Sequence, residues 1–420
     1  MASLFAEGTI QWLAADAATT VYTISIPFQA KGIEFEWQGL GSAVNATSST
    51  AHSRRGKGFT DGTNQRCVAT QDQDAAGTMV CTTSAWTDCI AATVTSTPAR
   101  DGALALDSIN PTDFKLIVND ATPVDISINY KAYGGDDITD VFVGDLAEPA
   151  AGGTQTYLDP LFSPDALMFA GVQATVMDSA ARNDSGLSIG YSTGPTADEN
   201  IVVCGNSDDA SPSTDSDGLG QSGFCIAMIP VGGGASPNAR ALRGSLDPGG
   251  FKLDWTERGV TDRISIYMAI KGGNWRAGGM TIDNTTLNNT ATVTLPFEPI
   301  GISLIARGDS AAETAPDAAD TSDRIALGVG SSISSRRSMT QISVDTSGSA
   351  VIISAINYDK IQVSRDGAAN GTIDLDAVLQ TGFRLKVTTA FASSNVNAWI
   401  GYFVFGSINP FVTNLDAQYV

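Results

Sequence analysis

The sequence has very little of the residue that most often serves enzymes as an acid or base, since its 420 residues include a single histidine, His52. A Ser-His-Asp triad would have to use this residue, which lies in a stretch rich in serine, threonine and arginine. No HExxH, no GxxxxGKS/T and no helix-opening GxGxxG motif is present. Two carboxylates for glycoside hydrolysis need not be neighbours in sequence, but most acids here are aspartates in turn-like contexts. The sequence therefore predicts a protein without enzymatic activity.

Basic residues are also few, with 24 Lys and Arg against 45 Asp and Glu and a formal net charge of -21. Such a surface repels phosphates, so we expect neither a nucleic-acid partner nor an anionic membrane as partner. No stretch reaches 18 consecutive apolar residues, so no transmembrane helix is expected. The first 20 residues show neither a basic segment nor a continuous apolar segment, which predicts no signal peptide and synthesis in a cytoplasm.

Metal-binding patterns are scarce too. The five cysteines (Cys67, Cys81, Cys89, Cys204 and Cys225) form no CxxC pair, and their odd number favours buried free thiols. Calcium prefers carboxylate and carbonyl oxygens, and Asp215 and Asp217 in the loop 205–223 are the candidate ligands that we consider. The glutamate of an EF-hand is missing there, and an ordinary Asp/Gly turn is the alternative. We therefore expect no cofactor, with calcium at these two residues as the exception to test.

Short strands and tight turns are what the composition offers instead. Charged residues make up only 16% of the chain, and 43 glycines accompany many threonines and valines. Threonine and valine favour strands, glycine favours turns, and long Lys/Glu-rich helical stretches are nearly absent. The composition therefore predicts an all-β protein.

Internal repetition is the strongest pattern in the sequence. Phe28, Phe162 and Phe297 each lie in a Phe-containing Pro/Gly turn between two apolar runs, at spacings of 134 and 135 residues. Phe114, Phe251 and Phe383 each head a Phe-Lys/Arg-Leu segment that leads through a polar turn into an alternating strand. We predict three tandem β-sandwich or jelly-roll-like domains, at residues 1–148, 149–285 and 286–420, the last with a short C-terminal tail.

The middles of the first two copies also match. Cys89-Ile-Ala lies over Cys225-Ile-Ala, with Cys67 and Cys204 at nearly equal distances before them, and the third copy keeps the apolar pattern without cysteine. Longer polar segments at 45–65, 205–223 and 307–324 are expected to be loops, either recognition loops or simply solvated. Trp275, between glycines in GGNWRAGG, is the best candidate for an exposed contact residue, and a subunit interface could use it equally well.

Copy two carries a characteristic set of segments, namely Phe162–Phe169, Cys225-Ile226-Ala227, Gly250–Leu253 and Ile266–Gly273. Over essentially the whole chain, taken as three copies, this pattern resembles virion structural proteins of tailed, siphophage-type bacteriophages. The resemblance implies location in the virion, with other virion proteins and copies of itself as partners, in a homo-oligomer of trimer- or hexamer-related symmetry. It identifies no active site.

Two functions are compatible with this resemblance, and a third alternative lies outside it. The first is a peripheral tail or baseplate component at the adsorption end, whose loops meet host surface glycans. The alternative is a capsid decoration or head-spike protein, and a second alternative is a carbohydrate-binding adhesin.

Overall fold

The computed structural model describes residues 3–39, 46–50, 52–73, 80–182, 184–194, 198–206, 216–229, 237–259, 263–306, 322–344, 351–366, 369–390 and 398–407. Within these ranges the protein is all-β, and every strand pairing is antiparallel, as the composition predicts. The many short strands are favoured by valine, isoleucine and threonine, and glycines stand at several of their turns.

The strands are numbered in chain order. The first eleven are β1 (Ser3–Trp12), β2 (Val21–Ser25), β3 (Ala30–Gln38), β4 (Ala46–Thr50), β5 (His52–Thr60), β6 (Gln65–Gln73), β7 (Val80–Trp86), β8 (Ala91–Val94), β9 (Arg100–Ile109), β10 (Asp113–Asp120) and β11 (Ile126–Gly135). The next eleven are β12 (Ile138–Ala147), β13 (Gly153–Tyr157), β14 (Ala166–Val172), β15 (Ser179–Arg182), β16 (Ser185–Thr193), β17 (Asp198–Asn206), β18 (Ser216–Ser222), β19 (Ile226–Met228), β20 (Ala239–Asp247), β21 (Gly250–Glu257) and β22 (Ile264–Gly272). The last ten are β23 (Asn274–Ile282), β24 (Thr290–Thr294), β25 (Glu298–Ala306), β26 (Ser322–Ser332), β27 (Ser335–Val344), β28 (Val351–Asn357), β29 (Gln362–Asp366), β30 (Ala369–Leu379), β31 (Gly382–Thr389) and β32 (Ala398–Ser407).

These strands form three large and three small sheets. The first large sheet has the order β1-β11-β3-β5-β6-β7-β15, the second β12-β22-β14-β16-β17-β18, and the third β23-β32-β25-β26-β27-β28-β4. The first small sheet has the order β2-β10-β9-β8, the second β13-β21-β20-β19, and the third β24-β31-β30-β29. Apart from β15 and β4, each large sheet therefore has the same order of strands along the chain.

Each large sheet packs one face against a small sheet, which makes three sandwich-like pairs. In the first pair Phe35 of the large sheet shares a core with Leu104 and Phe114 of the small sheet. Phe169 and Phe251 occupy the second core, and Leu304 and Phe383 lie in the third. Burying apolar area in this way contributes roughly 25 cal/mol per Å², so each pair has a core of its own.

The same aromatic contact recurs in the three cores. A phenylalanine at the start of the second-last strand of each sheet pair meets, edge to face, a tyrosine of the last strand. The pairs are Phe114–Tyr130 at 5.2 Å, Phe251–Tyr267 at 5.2 Å and Phe383–Tyr402 at 5.8 Å between ring centroids. A glycine stands opposite each tyrosine on the neighbouring edge strand, at Gly8, Gly144 and Gly278. A Cβ there would clash with the tyrosine ring, so these glycines let the rings lie across the sheet edge.

In the structure, the chain passes from one large sheet to the next earlier in the sequence than the predicted boundaries at 148 and 285. Strand β12 precedes residue 148, yet it pairs along its length with β22 of the second large sheet. Strand β23 precedes residue 285 and pairs with β32 of the third large sheet. The polar segments that suggested the boundaries instead connect the first large-sheet strand to the first small-sheet strand of the next pair. The chain passes between large sheets near residues 136 and 273, in short turns between β11 and β12 and between β22 and β23.

Two short strands pair outside their own part of the chain. Strand β4 follows β3 of the first large sheet but pairs with β28 at the edge of the third. Strand β15 follows β14 of the second large sheet but pairs with β7 at the edge of the first. The corresponding stretch after β25, residues 307–321, lies outside the described residues. We call β4 and β15 the exchanged strands, because each covers a sheet edge that would otherwise expose unpaired backbone groups.

Asp178 fastens the exchanged strand β15 to the first large sheet. Its backbone N–H donates to the carbonyl of Ala85 at 2.8 Å, and its carboxylate accepts from both the N–H and the hydroxyl of Thr87, each at 2.8 Å. Its φ of 57° lies in the left-handed region, which glycine adopts readily. The replacement Asp178→Gly therefore removes the carboxylate acceptor without adding backbone strain.

We expect this variant to loosen β15 locally and leave the rest of the fold intact. Hydrogen exchange of the β7 amides should become roughly tenfold faster, the equivalent of losing about one hydrogen bond to a charged acceptor. The amides of β28, which pair with the other exchanged strand, are the internal control and should not change. Unchanged exchange in β7 would show that Asp178 does not hold this strand.

Candidate functional site

The three large sheets turn their remaining faces toward one another and share a common core. Its buried members include Val68 of the first sheet, Met268 of the second and Phe403 of the third. Strands at this meeting place are consequently buried on both faces, and all seven residues of β14 are buried. This explains why several strands here are apolar nearly throughout instead of alternating.

An aromatic row runs through this common core. Tyr191 stacks on Phe403 at 4.6 Å, Phe403 stacks on Trp275 at 5.1 Å, and Trp275 stacks on Phe405 at 4.3 Å between ring centroids. Tyr133 then meets Phe405 at 5.7 Å. The rings come from all three large sheets, and each such pair adds about 0.5–1.5 kcal/mol beyond its buried area.

Trp275 is therefore not the exposed loop residue that its flanking glycines suggested. It lies in strand β23, its side chain is only 8% exposed, and its indole N–H donates to the carbonyl of Gly272 at 2.7 Å. Gly272 and Gly273 have φ values of 83° and 77°, so the turn before β23 needs glycine for its backbone. A glycine-rich flank here marks a tight turn into a strand, and Trp275 joins sheets within one chain.

Beside the aromatic row lies a buried charged quartet, formed by Glu34, Glu36, Lys57 and Lys131. The Lys57 ammonium contacts the Oε1 atoms of both glutamates, that of Glu36 at 2.7 Å. The Lys131 ammonium lies 3.1 Å from Glu34 Oε1 and 2.8 Å from Glu36 Oε1. All four residues are at most 1% exposed. Two carboxylates and two ammonium groups thus balance in a space closed to solvent.

Two tyrosine hydroxyls complete the hydrogen bonds of the quartet. Tyr133 donates to Glu34 Oε2 at 2.9 Å, and Tyr191, from the second large sheet, donates to Glu34 Oε1 at 3.1 Å. Lys57 in turn donates to the Tyr191 hydroxyl at 3.2 Å. Because Tyr191 also stacks on Phe403 of the third sheet, the quartet is connected to all three large sheets.

The electrostatic environment keeps Glu34 and Lys131 of the quartet charged. Burial alone would raise the pKa of Glu34, but Lys131 and Lys57 outweigh it, so the pKa lies well below its usual range. Burial likewise lowers the pKa of Lys131, and the two glutamates more than compensate, so that it is raised. Burial, and then the charge of Glu34, raise the pKa of Tyr133 and Tyr191 well above the ordinary value. These tyrosines therefore remain neutral donors.

The quartet occurs in one large sheet only, among positions that strand order and register bring into correspondence. Phe35, Phe169 and Leu304 occupy matching places, since their neighbours across the strands are Tyr130, Tyr267 and Tyr402. The positions of Glu34, Glu36, Lys57 and Lys131 correspond to Met168, Ala170, Ile189 and Met268 in the second sheet, and to Ser303, Ile305, Leu327 and Phe403 in the third. The first sheet thus presents charge where its two neighbours present mainly apolar side chains.

All five cysteines are buried thiols that form no disulfide, which confirms the prediction of buried thiols. Their correspondence between copies is different from the sequence match. Leu104 and Ala241 occupy matching positions in the first and second small sheets, and their carbonyls accept from the N–H groups of Ile90 and Cys225. Cys225 therefore corresponds to Ile90 and not to Cys89. Cys204 corresponds to Thr70, and Cys67 to Ile201. Cys67 and Cys89, whose sulfur atoms are 3.4 Å apart, therefore form a contact specific to the first sandwich.

The segment 45–65 is largely strand, although its polarity suggested a loop. It contains β4 and β5, and His52 is the first residue of β5, opposite Gln73. Lys57 of β5 faces the shared core, where it meets its carboxylate partners Glu34 and Glu36. In the segment 205–223, residues 207–215 lie outside the described residues and Ser216–Ser222 form β18, whereas most of the segment 307–324 lies outside the described residues.

The sequence contains two overlapping GxSxG motifs, Gly186–Gly190 and Gly190–Gly194, so the expectation that no such nucleophile-elbow motif is available to His52 is wrong. Both lie in or directly after strand β16, whereas a nucleophile elbow needs a sharp turn from a strand into a helix. The Ser192 hydroxyl donates to Glu199 at 3.0 Å. The glycines here serve close packing, because a Cβ on Gly190 would lie 1.9 Å from the Cys225 carbonyl oxygen.

The calcium candidates fall at the border of the described chain. Asp215 lies outside the described residues. Asp217 lies in β18, where its backbone pairs with Gly205 of β17. Among the described residues, no group of three or more His, Cys, Asp or Glu side chains is arranged to hold a metal ion. Calcium at Asp215 and Asp217 stays a prediction.

Within the described ranges, the structure contains no helix long and apolar enough to cross a membrane. Comparison of the chain with models of known protein families and with curated proteins finds no match.

Proposed function

We propose that this chain is a non-enzymatic structural protein of a tailed-phage particle, built from three copies of one jelly-roll-like sandwich. The observation that carries this proposal is the exchange of strands β4 and β15 between sheet pairs, which ties three similar parts into one block. A component that bears load in a particle needs such a block, because its parts must not slide or separate.

The winding of each sheet pair supports the jelly-roll-like unit. In the first pair, β1 and β2 pair with β11 and β10, so the first two and last two strands form one ribbon that passes from the large to the small sheet. The second pair repeats this with β12 and β13 on β22 and β21, and the third with β23 and β24 on β32 and β31. Such a ribbon, wound across two sheets, is how a jelly roll closes.

The arrangement of the three units supports a place of threefold or sixfold local symmetry in a particle. Their large sheets meet around a common core, and the described exchanged strands run in the same sense, each to a neighbouring sheet. One chain then presents three similar outer surfaces to three similar neighbours, including copies of itself. Its net charge of -21 favours solubility before assembly.

We place the protein at the periphery of the tail or baseplate, with a capsid decoration or head-spike role as the alternative. The two positions imply different partners. A tail-end protein meets host surface glycans, whereas a decoration protein meets the capsid lattice and binds empty heads.

The proposal is tested by locating the protein on purified virions. An antibody raised against the full chain should label particles at the tail end in electron micrographs, and mass spectrometry should find the protein in several copies per virion. Label on the head surface would replace the tail position by the decoration role. Absence of the protein from virions that carry its gene would overturn the proposal as a whole.

A further inference from the structure

A cavity of about 410 Å³ opens where the second large sheet meets the second small sheet. Ser163 and Asp165 contribute from the loop before β14, Gly194 from the end of β16, and Arg243 and Gly244 from β20. Pro164 and Leu246 add apolar wall. Its volume lies in the range of small-molecule sites, about 300–1,000 Å³.

Arg243 is the unusual residue of this cavity. Its side chain is only 6% exposed, and its Nη1 donates to the carbonyl of Gly194, which lies in the same wall. Its Nε is buried and has no hydrogen-bond partner among the described residues. Burying a guanidinium without a full set of acceptors is costly, so packing alone does not explain an arginine at this position.

The corresponding positions in the other two small sheets show what Arg243 replaces. Each sheet has a β-bulge at this point, preceded by a residue that pairs with the leucine of the Phe-Lys/Arg-Leu segment. That residue is Leu106 in the first sheet and Leu375 in the third, and the bulged residue is Asp107 or Asp376. In the second sheet the two positions hold Arg243 and Gly244. A leucine and a carboxylate are thus exchanged for a guanidinium and a glycine, and the Asp254 carboxylate lies 2.8 Å from where a Cβ of Gly244 would stand.

The backbone beneath Arg243 is held firmly. Its N–H donates to Glu199 Oε1 at 2.7 Å, and the Ser192 hydroxyl donates to the same carboxylate at 3.0 Å. In the first sandwich Gln65 Oε1 accepts from the N–H of Leu106 at 2.8 Å in the same way. The support of the strand is therefore common to both sandwiches, while the cation in the cavity belongs to the second alone.

We propose that this cavity binds an acidic sugar, with the Arg243 guanidinium holding the sugar carboxylate. Guanidinium groups bind carboxylates with directed, charge-assisted hydrogen bonds. Asp165 and Ser163 face the same space and accept or donate to ring hydroxyls, while Pro164 and Leu246 pack against the apolar face of the ring. In the tail-end role, this site makes the contact with the host surface glycan. The inference rests on the proposed function only for the source of that glycan.

The test is a calorimetric titration of the full chain with glucuronate and, separately, with glucose at equal concentrations. Glucuronate should bind and glucose should bind at least about tenfold more weakly, since a charge-assisted hydrogen bond is worth roughly 1.5–3 kcal/mol. Arg243→Leu should lower the affinity for glucuronate by at least about tenfold. Leucine already stands at the corresponding positions, so this variant should fold and melt like the unmodified protein.

Arg240→Leu is the matched control, because Arg240 lies on the same strand and pairs with Glu257 outside the cavity. It should leave the affinity for glucuronate unchanged. Equal binding of glucose and glucuronate, no binding of either, or full binding by Arg243→Leu would overturn the proposal. Localisation on virions is measured independently, so failure of this site and failure of the virion assignment give different results.

Discussion

Replacing Lys57 with methionine is expected to lower the free energy of unfolding by about 3–5 kcal/mol, the usual cost of breaking a buried ion pair on one side. Among the described residues, the variant leaves Lys131 as the one cation that contacts the carboxylates of Glu34 and Glu36, in a space closed to solvent. Methionine fills a similar volume, so the loss comes from charge and not from a cavity. The measurement is urea denaturation followed by tryptophan fluorescence, since the tryptophan Trp275 lies in the same core.

Lys252→Met is the matched control for this experiment. Lys252 also contacts a carboxylate, Asp247 at 3.0 Å, but its side chain is 37% exposed. Its replacement should leave the denaturation midpoint nearly unchanged, because exposed ion pairs contribute little. Adding Glu36→Gln to Lys57→Met should recover part of the loss, since one negative charge then faces one positive charge. A Lys57→Met midpoint no lower than that of Lys252→Met would contradict the assigned role of the quartet.

The pH dependence of stability gives a second readout. The pKa of Glu34 is lowered in the folded protein, against about 4.3 in an unfolded chain. Its contribution is therefore fully present above that unfolded value and is lost as pH falls toward the folded one. The unmodified protein should lose stability on acidification below about pH 5, and Lys57→Met should lose less, because its stabilising partner is already gone.

Replacing Gly190 with alanine is expected to prevent the second sandwich from closing. The added Cβ would lie 1.9 Å from the carbonyl oxygen of Cys225, a backbone atom that cannot turn aside. The same contact recurs at Gly58 with Ile90 and at Gly328 with Ile361, at 1.9 and 1.7 Å. Each glycine thus lets the large sheet approach the small-sheet chain. We expect a loss above about 4 kcal/mol, within the range of severe overpacking or strain, seen as insoluble or unfolded protein.

Gly249→Ala is the control for this prediction. Gly249 lies in the turn between β20 and β21, and the nearest atom to an added Cβ there is Leu158 Cδ2 at 3.8 Å. That is ordinary van der Waals contact, so this variant should be soluble and melt near the unmodified temperature. A soluble Gly190→Ala protein with an unchanged melting temperature would show that the sheets can separate at little cost.

The repeated phenylalanines of the sequence occupy matching positions in the sheets. Phe114, Phe251 and Phe383 head matching strands, and each meets a tyrosine in the same geometry. This was predictable because a large aromatic side chain in a sandwich core has few substitutes. The cysteines were poorer markers, since a small buried thiol fits at several neighbouring positions, and the match in sequence is displaced by one or three residues in the structure.

The shared core was much harder to foresee. In strand β3, Glu34 and Glu36 alternate with Ile33, Phe35 and Trp37, a pattern typical of a strand with one face in water. The structure covers that face with two other sheets, and only the distant Lys57 and Lys131 make the burial of two glutamates tolerable. Alternation of polar and apolar residues shows that the two faces of a strand differ, but it does not show what packs against the polar face. The pairing of the exchanged strands could not be predicted for a related reason, because strands of four or five small or polar residues carry no sign of their partner.

The exchange of β4 also has a consequence for the order in which the protein can be completed during synthesis. Thr50 of β4 pairs with Ile352 of β28, so its partner is translated 302 residues later. At about 5–20 residues per second this interval is roughly 15–60 s. During that time the first sandwich can form around its own core, while β4 must wait as an unpaired segment on the nascent chain. Folding of the first third and closure of the whole molecule are therefore separate events. Closure can only follow once most of the chain has emerged from the ribosome.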